Sequence, residues 1–190
     1  MNKKILNQFI AGKYTQILCE KCELTFLTNV YMFDDTHVLL EKRSFDLEYY
    51  CGAIHEKGLK KVPHIQRIGI IDEDDNIVKA PSHHEVYSGE ETELRFIYVM
   101  EKLTHLDEDD MQYFNRCVKD LEWESEADRE KIFAGIAKRY NSDLAQDIIK
   151  LYEYYHKHEN VLAWDLHGDN LMQRLKTKEI VILDPYTRQA

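Results

Sequence analysis

Residues 165–172 of the chain read Asp165-Leu-His-Gly-Asp-Asn-Leu-Met, followed by a charged stretch and then an apolar run, Ile180-Val-Ile-Leu, that ends in Asp184-Pro185. A strongly periodic helical pattern precedes this segment. The order helix, polar loop, apolar strand, acidic strand end leaves few folds open, because each polar side chain must sit at the mouth of a buried element. Asp165 and Asn170 are five positions apart, and Asp184 closes the next strand. A carboxylate is a proton acceptor, while an amide oxygen and a second carboxylate are oxygen ligands suited to a hard divalent cation. A competing start at His167-Gly168-Asp169 puts Arg174 five residues after Asp169, and a guanidinium does not ligate a cation. The Asp165 register is therefore preferred, with Asp169 left as a ligand or a surface carboxylate.

Base, amide ligand and metal carboxylate in this order are what phosphoryl transfer from a nucleoside triphosphate requires. The loop resembles the catalytic loop of aminoglycoside-phosphotransferase-like and atypical kinases, where Asp-Leu-His-x-x-Asn recurs. It is more similar still to that of the early serine/threonine kinases of short-tailed coliphages, in which an Asp-Pro replaces the usual Asp-Phe-Gly. Leu183-Asp184-Pro185 fits that feature. The resemblance implies Asp165 as catalytic base, Asn170 and Asp184 as ligands of Mg2+, and ATP as donor. It also implies an α+β class and a minimal two-lobed protein-kinase-like fold. An N-terminal antiparallel β lobe would cover residues 1–101, and a truncated helical C-terminal lobe residues 102–190. One departure is plain: typical kinases carry a His two residues before the base, and this chain has Ala163.

The first half suits a β lobe. The runs 14–18, 23–33 and 37–42 are β-prone, with Asp34-Asp35 as a hairpin signal. Lys42 ends the third run and is the candidate phosphate-contacting lysine. Ser44 is a plausible N-cap for a helix with Leu47, Tyr50, Cys51 and Ile54 on one face and Gly58 as its stop. The resemblance implies a glutamate on this helix as partner of Lys42. Spacing from Val62-Pro63 favours Glu48, and spacing from Lys42 favours Glu56. The strand pattern 94–103 is similar to the strand entering a kinase hinge, where backbone groups of Glu101 and Lys102 would receive adenine. A glycine-rich phosphate loop is missing, since no glycine occurs between Gly12 and Gly52, and the segment around Cys19-Glu-Lys-Cys22-Glu carries acidic side chains instead.

The second half turns helical. Asp107 caps a run with Met111, Phe114, Val118 and Leu121 inward, and a second run holds Ile132, Phe133, Ile136 and Tyr140. Asn141 or Ser142 caps a third, with Leu144, Ile148, Leu151, Tyr152 and Tyr155 on one stripe.

Composition trims the function classes. A net charge of -10 argues against a nucleic-acid binder, whose footprint is basic. No run approaches the eighteen apolar residues of a membrane span, and the N-terminus lacks a signal-peptide core. The expected compartment is the cytoplasm, or the host cytoplasm if the source is viral. The four cysteines are then expected as thiols, and Cys19-x-x-Cys22 with His83-His84 and Cys51 matches no standard zinc spacing. The expected activity is a Mg-ATP-dependent serine/threonine kinase acting on a host protein. A platform this short would be completed by the target or by a homodimer. The main alternative is a pseudokinase-like protein that binds and inhibits or redirects a host factor without catalysis. A small-molecule phosphotransferase would want an acidic acceptor pocket built from further C-terminal helices.

Overall fold

The computed structural model describes residues 2–17, 28–79 and 94–189. The run 18–27, with Cys19 and Cys22, and the segment 80–93, with His83 and His84, lie outside the described residues. The chain is α+β with antiparallel sheets, and it divides into two compact units. The first joins Met1–Phe45 to His64–Lys102, and the second joins Asp46–Pro63 to Leu103–Ala190. The contiguous split after residue 101 that the sequence suggests differs from this in two respects: the segment 46–63 groups with the C-terminal unit, and Lys102 with the N-terminal one.

In the first unit, α1 (Asn2–Ile10) precedes a sheet of β1 (Thr28–Met32), β2 (His37–Lys42), β3 (Ile65–Ile71), β4 (Ile77–Val78) and β5 (Arg95–Glu101). Their order is β1-β2-β5-β3-β4 and every pairing is antiparallel. The β1–β2 hairpin forms where Asp34-Asp35 predicted it. Asp34 Oδ1 accepts the backbone N–H groups of Thr36 at 2.7 Å and His37 at 2.8 Å. Helix α1 exists because Ile5, Leu6 and Phe9 fall on one stripe and bury against Leu39, Ile68, Ile71 and Ile97. Gly69 makes room for it: a Cβ there would sit 2.3 Å from Leu6 Cδ1.

The second unit holds α2 (Asp46–Lys57), β6 (Leu103–His105), α3 (Glu108–Cys117), α4 (Glu126–Arg139), α5 (Ser142–Lys157), β7 (Leu162–Trp164), β8 (Leu171–Arg174), β9 (Ile180–Ile182) and β10 (Tyr186–Arg188). Helix α2 starts at Asp46, one residue later than a Ser44 cap gives, and stops as predicted. Gly58 takes φ +58° and Leu59 N–H returns to the Ile54 carbonyl at 3.3 Å, a Schellman closure. Its buried face is Leu47, Tyr49, Tyr50 and Ala53, rotated from the predicted Leu47/Tyr50/Cys51/Ile54 stripe because α5 covers it. A Cβ on Gly52 would lie 3.1 Å from the Tyr154 hydroxyl, and the Tyr49 ring sits 5.6 Å from that of His158.

Helix α5 organises this unit. Asn141, not Ser142, is its cap, accepting from Leu144 N–H at 2.8 Å. The whole predicted stripe is buried, and so is Asp147, which is 1% exposed. Its carboxylate accepts the backbone N–H groups of both Lys60 and Lys61 at 2.6 Å. Asp107 caps α3 by accepting from Asp110 N–H at 2.9 Å. No helix among the described residues is long and apolar enough to cross a membrane.

Candidate active site

The loop 165–170 leaves β7, forms a short 3-10 turn at Gly168–Asn170 and enters β8. Its seat is α3. Gly168 N–H donates to Asn115 Oδ1 at 2.7 Å, and a Cβ on Gly168 would lie 2.3 Å from the Met111 carbonyl oxygen. Only glycine permits so close an approach, which explains the Gly within the motif. Leu166 is fully buried beneath the loop.

Two backbone hydrogen bonds bring the predicted residues together. Asp165 N–H donates to the Pro185 carbonyl at 2.9 Å, and Leu183 N–H donates to the Asn170 carbonyl at 2.9 Å. They flank Asp184 on either side, so Asp165, Asn170 and Asp184 share one frame. The pairing of β10 with β7, Tyr186 opposite Trp164, continues that frame. Within the loop, Asn170 Nδ2 donates to the Asp165 carbonyl at 2.7 Å and approaches His167 Nε2 at 3.1 Å. With its nitrogen held inward, Asn170 turns its Oδ1 the other way. Asp169 is exposed, 3.4 Å from His167 Nδ1, and sits at the surface.

Residues outside the motif flank Asp184 and hold its strand in place. The Tyr50 hydroxyl donates to the Ile182 carbonyl, and Ile182 N–H donates to the Lys61 carbonyl at 2.8 Å. Burial pushes the Tyr50 phenol well above its usual range, and the neighbouring Asp184 charge adds to that. Tyr186, buried and bonded to the Leu151 carbonyl at 2.8 Å, secures the far side. Tyr50 was legible as an inward aromatic of α2. Its link to residue 182 is a contact over 132 positions, which no local pattern encodes.

The oxygen chemistry of the set, one amide carbonyl and one carboxylate beside a second carboxylate, fits a hard cation such as Mg2+. The Oδ1 of Asp184 is itself buried. Among the described residues no group of three or more His, Cys, Asp and Glu side chains is placed to hold a metal, and Cys51 and Cys117 are thiols.

The remaining candidates divide between the units. Glu48 lies in the first turn of α2, and Glu56 in its last turn pairs with Lys157 at 3.8 Å on the surface of the second unit. Lys42 ends β2 opposite Phe96 and is buried at 6% exposure, unlike an ordinary strand-end lysine. Its neighbour Glu41 points to the other sheet face, where it accepts from Asn29 Nδ2 at 2.9 Å and the Tyr31 hydroxyl at 2.8 Å. At Glu101 and Lys102 the sheet and the adjoining loop already engage part of the backbone. Their backbone N–H groups are already spent, on the carbonyls of His64 at 2.9 Å and Thr36 at 2.8 Å. A purine could meet only carbonyl oxygens at these two residues. Compared with protein-family models, curated proteins and solved structures, the chain matches none.

Proposed function

We propose that the chain is an atypical kinase of the phage type, with a protein-kinase-like fold, that transfers the γ-phosphate of ATP to a Ser or Thr hydroxyl of a host protein. The observation that carries the reading is the pair of backbone bonds, Asp165 to Pro185 and Leu183 to Asn170, which holds in one frame the three residues that the reading takes as base and cation ligands. Phosphoryl transfer is mostly positioning and charge stabilisation, so rigidity of this set is what the chemistry needs. Asp165 would accept the proton of the attacking hydroxyl. Asn170 Oδ1 and the Asp184 carboxylate would hold Mg2+, which supplies charge neutralisation on the phosphate oxygens when bound. His167 and Tyr50 position these groups and touch no reacting atom. The strand-end Lys42 keeps the phosphate-contacting role that the resemblance implies. The strand–helix–strand order around β2, α2 and β3 supports the kinase-like fold, as does the long α5 before the loop.

A second reading, a pseudokinase-like protein that binds a host factor without catalysis, is favoured by one observation: the bonded N–H groups of Glu101 and Lys102. The deciding experiment incubates purified protein with labelled ATP and Mg2+, alone and with bacterial lysate. Label on the protein itself or on a lysate protein, lost in Asp165→Ala, supports the kinase. Capture of a defined lysate protein without ATP, retained in Asp165→Ala and Asp184→Ala with no label transferred, supports the binding protein.

A further inference from the structure

Between α3 and α4 the chain makes a short 3-10 turn, Leu121–Trp123, with an unusual distribution of side chains. Leu121 is fully buried, yet Trp123 is 84% exposed. An indole is rarely left so open in a chain that buries its other tryptophan, Trp164, to 6%. Nor is the turn loosely held. Trp164 Nε1 donates to the Val118 carbonyl at 2.8 Å, and the Tyr152 hydroxyl donates to the Leu121 carbonyl at 3.3 Å. Arg129 Nη1 donates to the Glu124 carbonyl, and the Tyr155 hydroxyl donates to the Glu122 carboxylate. Ser125 caps the following helix by accepting from Asp128 N–H at 3.2 Å. The scaffold below is ordered by buried aromatics while the apex presents an indole to water. Such preorganisation lowers the entropy lost when a partner covers the side chain.

The surroundings say what that partner is. Within residues 119–126, Asp120, Glu122, Glu124 and Glu126 alternate along the turn against one cation, Lys119, while Arg129 is engaged by the Glu124 carbonyl. An open concavity of about 620 Å³ adjoins through Tyr155 and is lined by Tyr155, Glu159, Asn160 and Gln189. Carboxylates around an exposed indole repel an anionic lipid surface and a second copy of this acidic chain. They suit a guanidinium, which stacks flat on an aromatic face and takes carboxylates in a bidentate grip.

We propose that the turn 120–126 is a docking surface for an arginine-bearing basic segment of a partner protein, with Trp123 as its anchor. The surface lies within the second unit and is independent of phosphoryl transfer.

The test uses the full ¹⁵N-labelled chain, whose two tryptophans give two indole N–H resonances. A short synthetic peptide of alternating Arg and Ser is titrated in, with its Lys counterpart for comparison. The Trp123 resonance shifts saturably while that of Trp164 stays put, and the Lys peptide binds more weakly. Trp123→Ala, at a side chain 84% exposed, weakens binding at least about tenfold. Asp74→Asn, which removes one carboxylate from the β3–β4 hairpin of the first unit, leaves binding unchanged. Equal effects of Trp123→Ala and Asp74→Asn, or none from Trp123→Ala, would overturn the proposal. So would an indole shift that grows with protein concentration alone, or one produced by phosphatidylserine vesicles.

Discussion

Asn170 donates its side-chain amide nitrogen to the backbone carbonyl of Asp165, at 2.7 Å. This bond closes the loop on itself and decides which end of the amide is available to a cation. Asn170→Asp replaces the donor with a carboxylate oxygen facing a carbonyl oxygen. It should cost about 1 to 3 kcal/mol and abolish transfer of labelled phosphate, although an oxygen ligand is retained. Asn170→Ala should lose transfer with a smaller drop in stability, because no repulsion is introduced. Urea unfolding with the labelled-ATP assay reads both. A fully active Asn170→Asp would remove the orienting role given to this bond.

Gly168 and Gly69 make a matched pair. A Cβ at either would lie 2.3 Å from its nearest neighbour, but the neighbours differ: the Met111 carbonyl oxygen for Gly168, and the Leu6 side-chain tip for Gly69. Backbone cannot step aside without moving α3, whereas a leucine can change rotamer. Gly168→Ala should therefore cost about 1 to 3 kcal/mol and displace the loop, with loss of transfer. Gly69→Ala should cost no more than about 1 kcal/mol, part of it offset by reduced freedom of the unfolded chain. Thermal unfolding of the two variants checks the ranking, and the reverse order would contradict it.

Asp147 grips the link between α2 and β3 from the middle of α5, with two bonds of 2.6 Å to Lys60 and Lys61 N–H. Removing it strands two amide donors beneath the surface, and bonds to a charged acceptor are the stronger kind. Asp147→Ala should cost about 3 to 5 kcal/mol. Asp147→Asn should lose less, since both donors share one oxygen, Oδ2, and an amide oxygen in its place still accepts from both, though without the charge. The measurement is the midpoint shift in urea at constant slope. A neutral Asp147→Ala would mean the two amides find other partners.

These sites show what local sequence encodes and what it leaves out. The stripe Leu144, Ile148, Leu151, Tyr152 and Tyr155 was readable because burial follows the helical period, and all five are buried. That Asp165, Asn170 and Asp184 lie together was suggested by their spacing, and the backbone bonds Asp165 to Pro185 and Leu183 to Asn170 bring them into one frame. Asp147 was not, since a carboxylate on a helix reads as a solvated face until its partners, 86 and 87 positions away, are known. Helix α1 was missed because Lys3, Lys4, Asn7 and Gln8 dilute a nine-residue helix. A helix that short depends on docking rather than on propensity. The N–H groups of Glu101 and Lys102 point the same way: similarity to a hinge strand carries no information on which backbone donors the sheet has already used.

Tyr31 offers a test at alkaline pH. Burial and the hydrogen bond to Glu41 push its phenol up to about 12. The folded state therefore favours the protonated phenol more than the unfolded chain does, where it ionises near 10. The stabilisation is fully present below pH 10 and is lost as pH rises through 12, because the phenolate would face the Glu41 carboxylate. Tyr31→Phe should be less stable than the parent at neutral pH, by about 1 kcal/mol for one lost hydrogen bond to a charged acceptor that keeps its other donors. That difference should shrink between pH 10 and 12. Chemical denaturation across this range measures it, and the difference in phenolate absorbance between the two proteins locates the ionisation. A stability gap that widens with pH, or a Tyr31 that ionises near 10 in the folded chain, would contradict the hydrogen bond to Glu41.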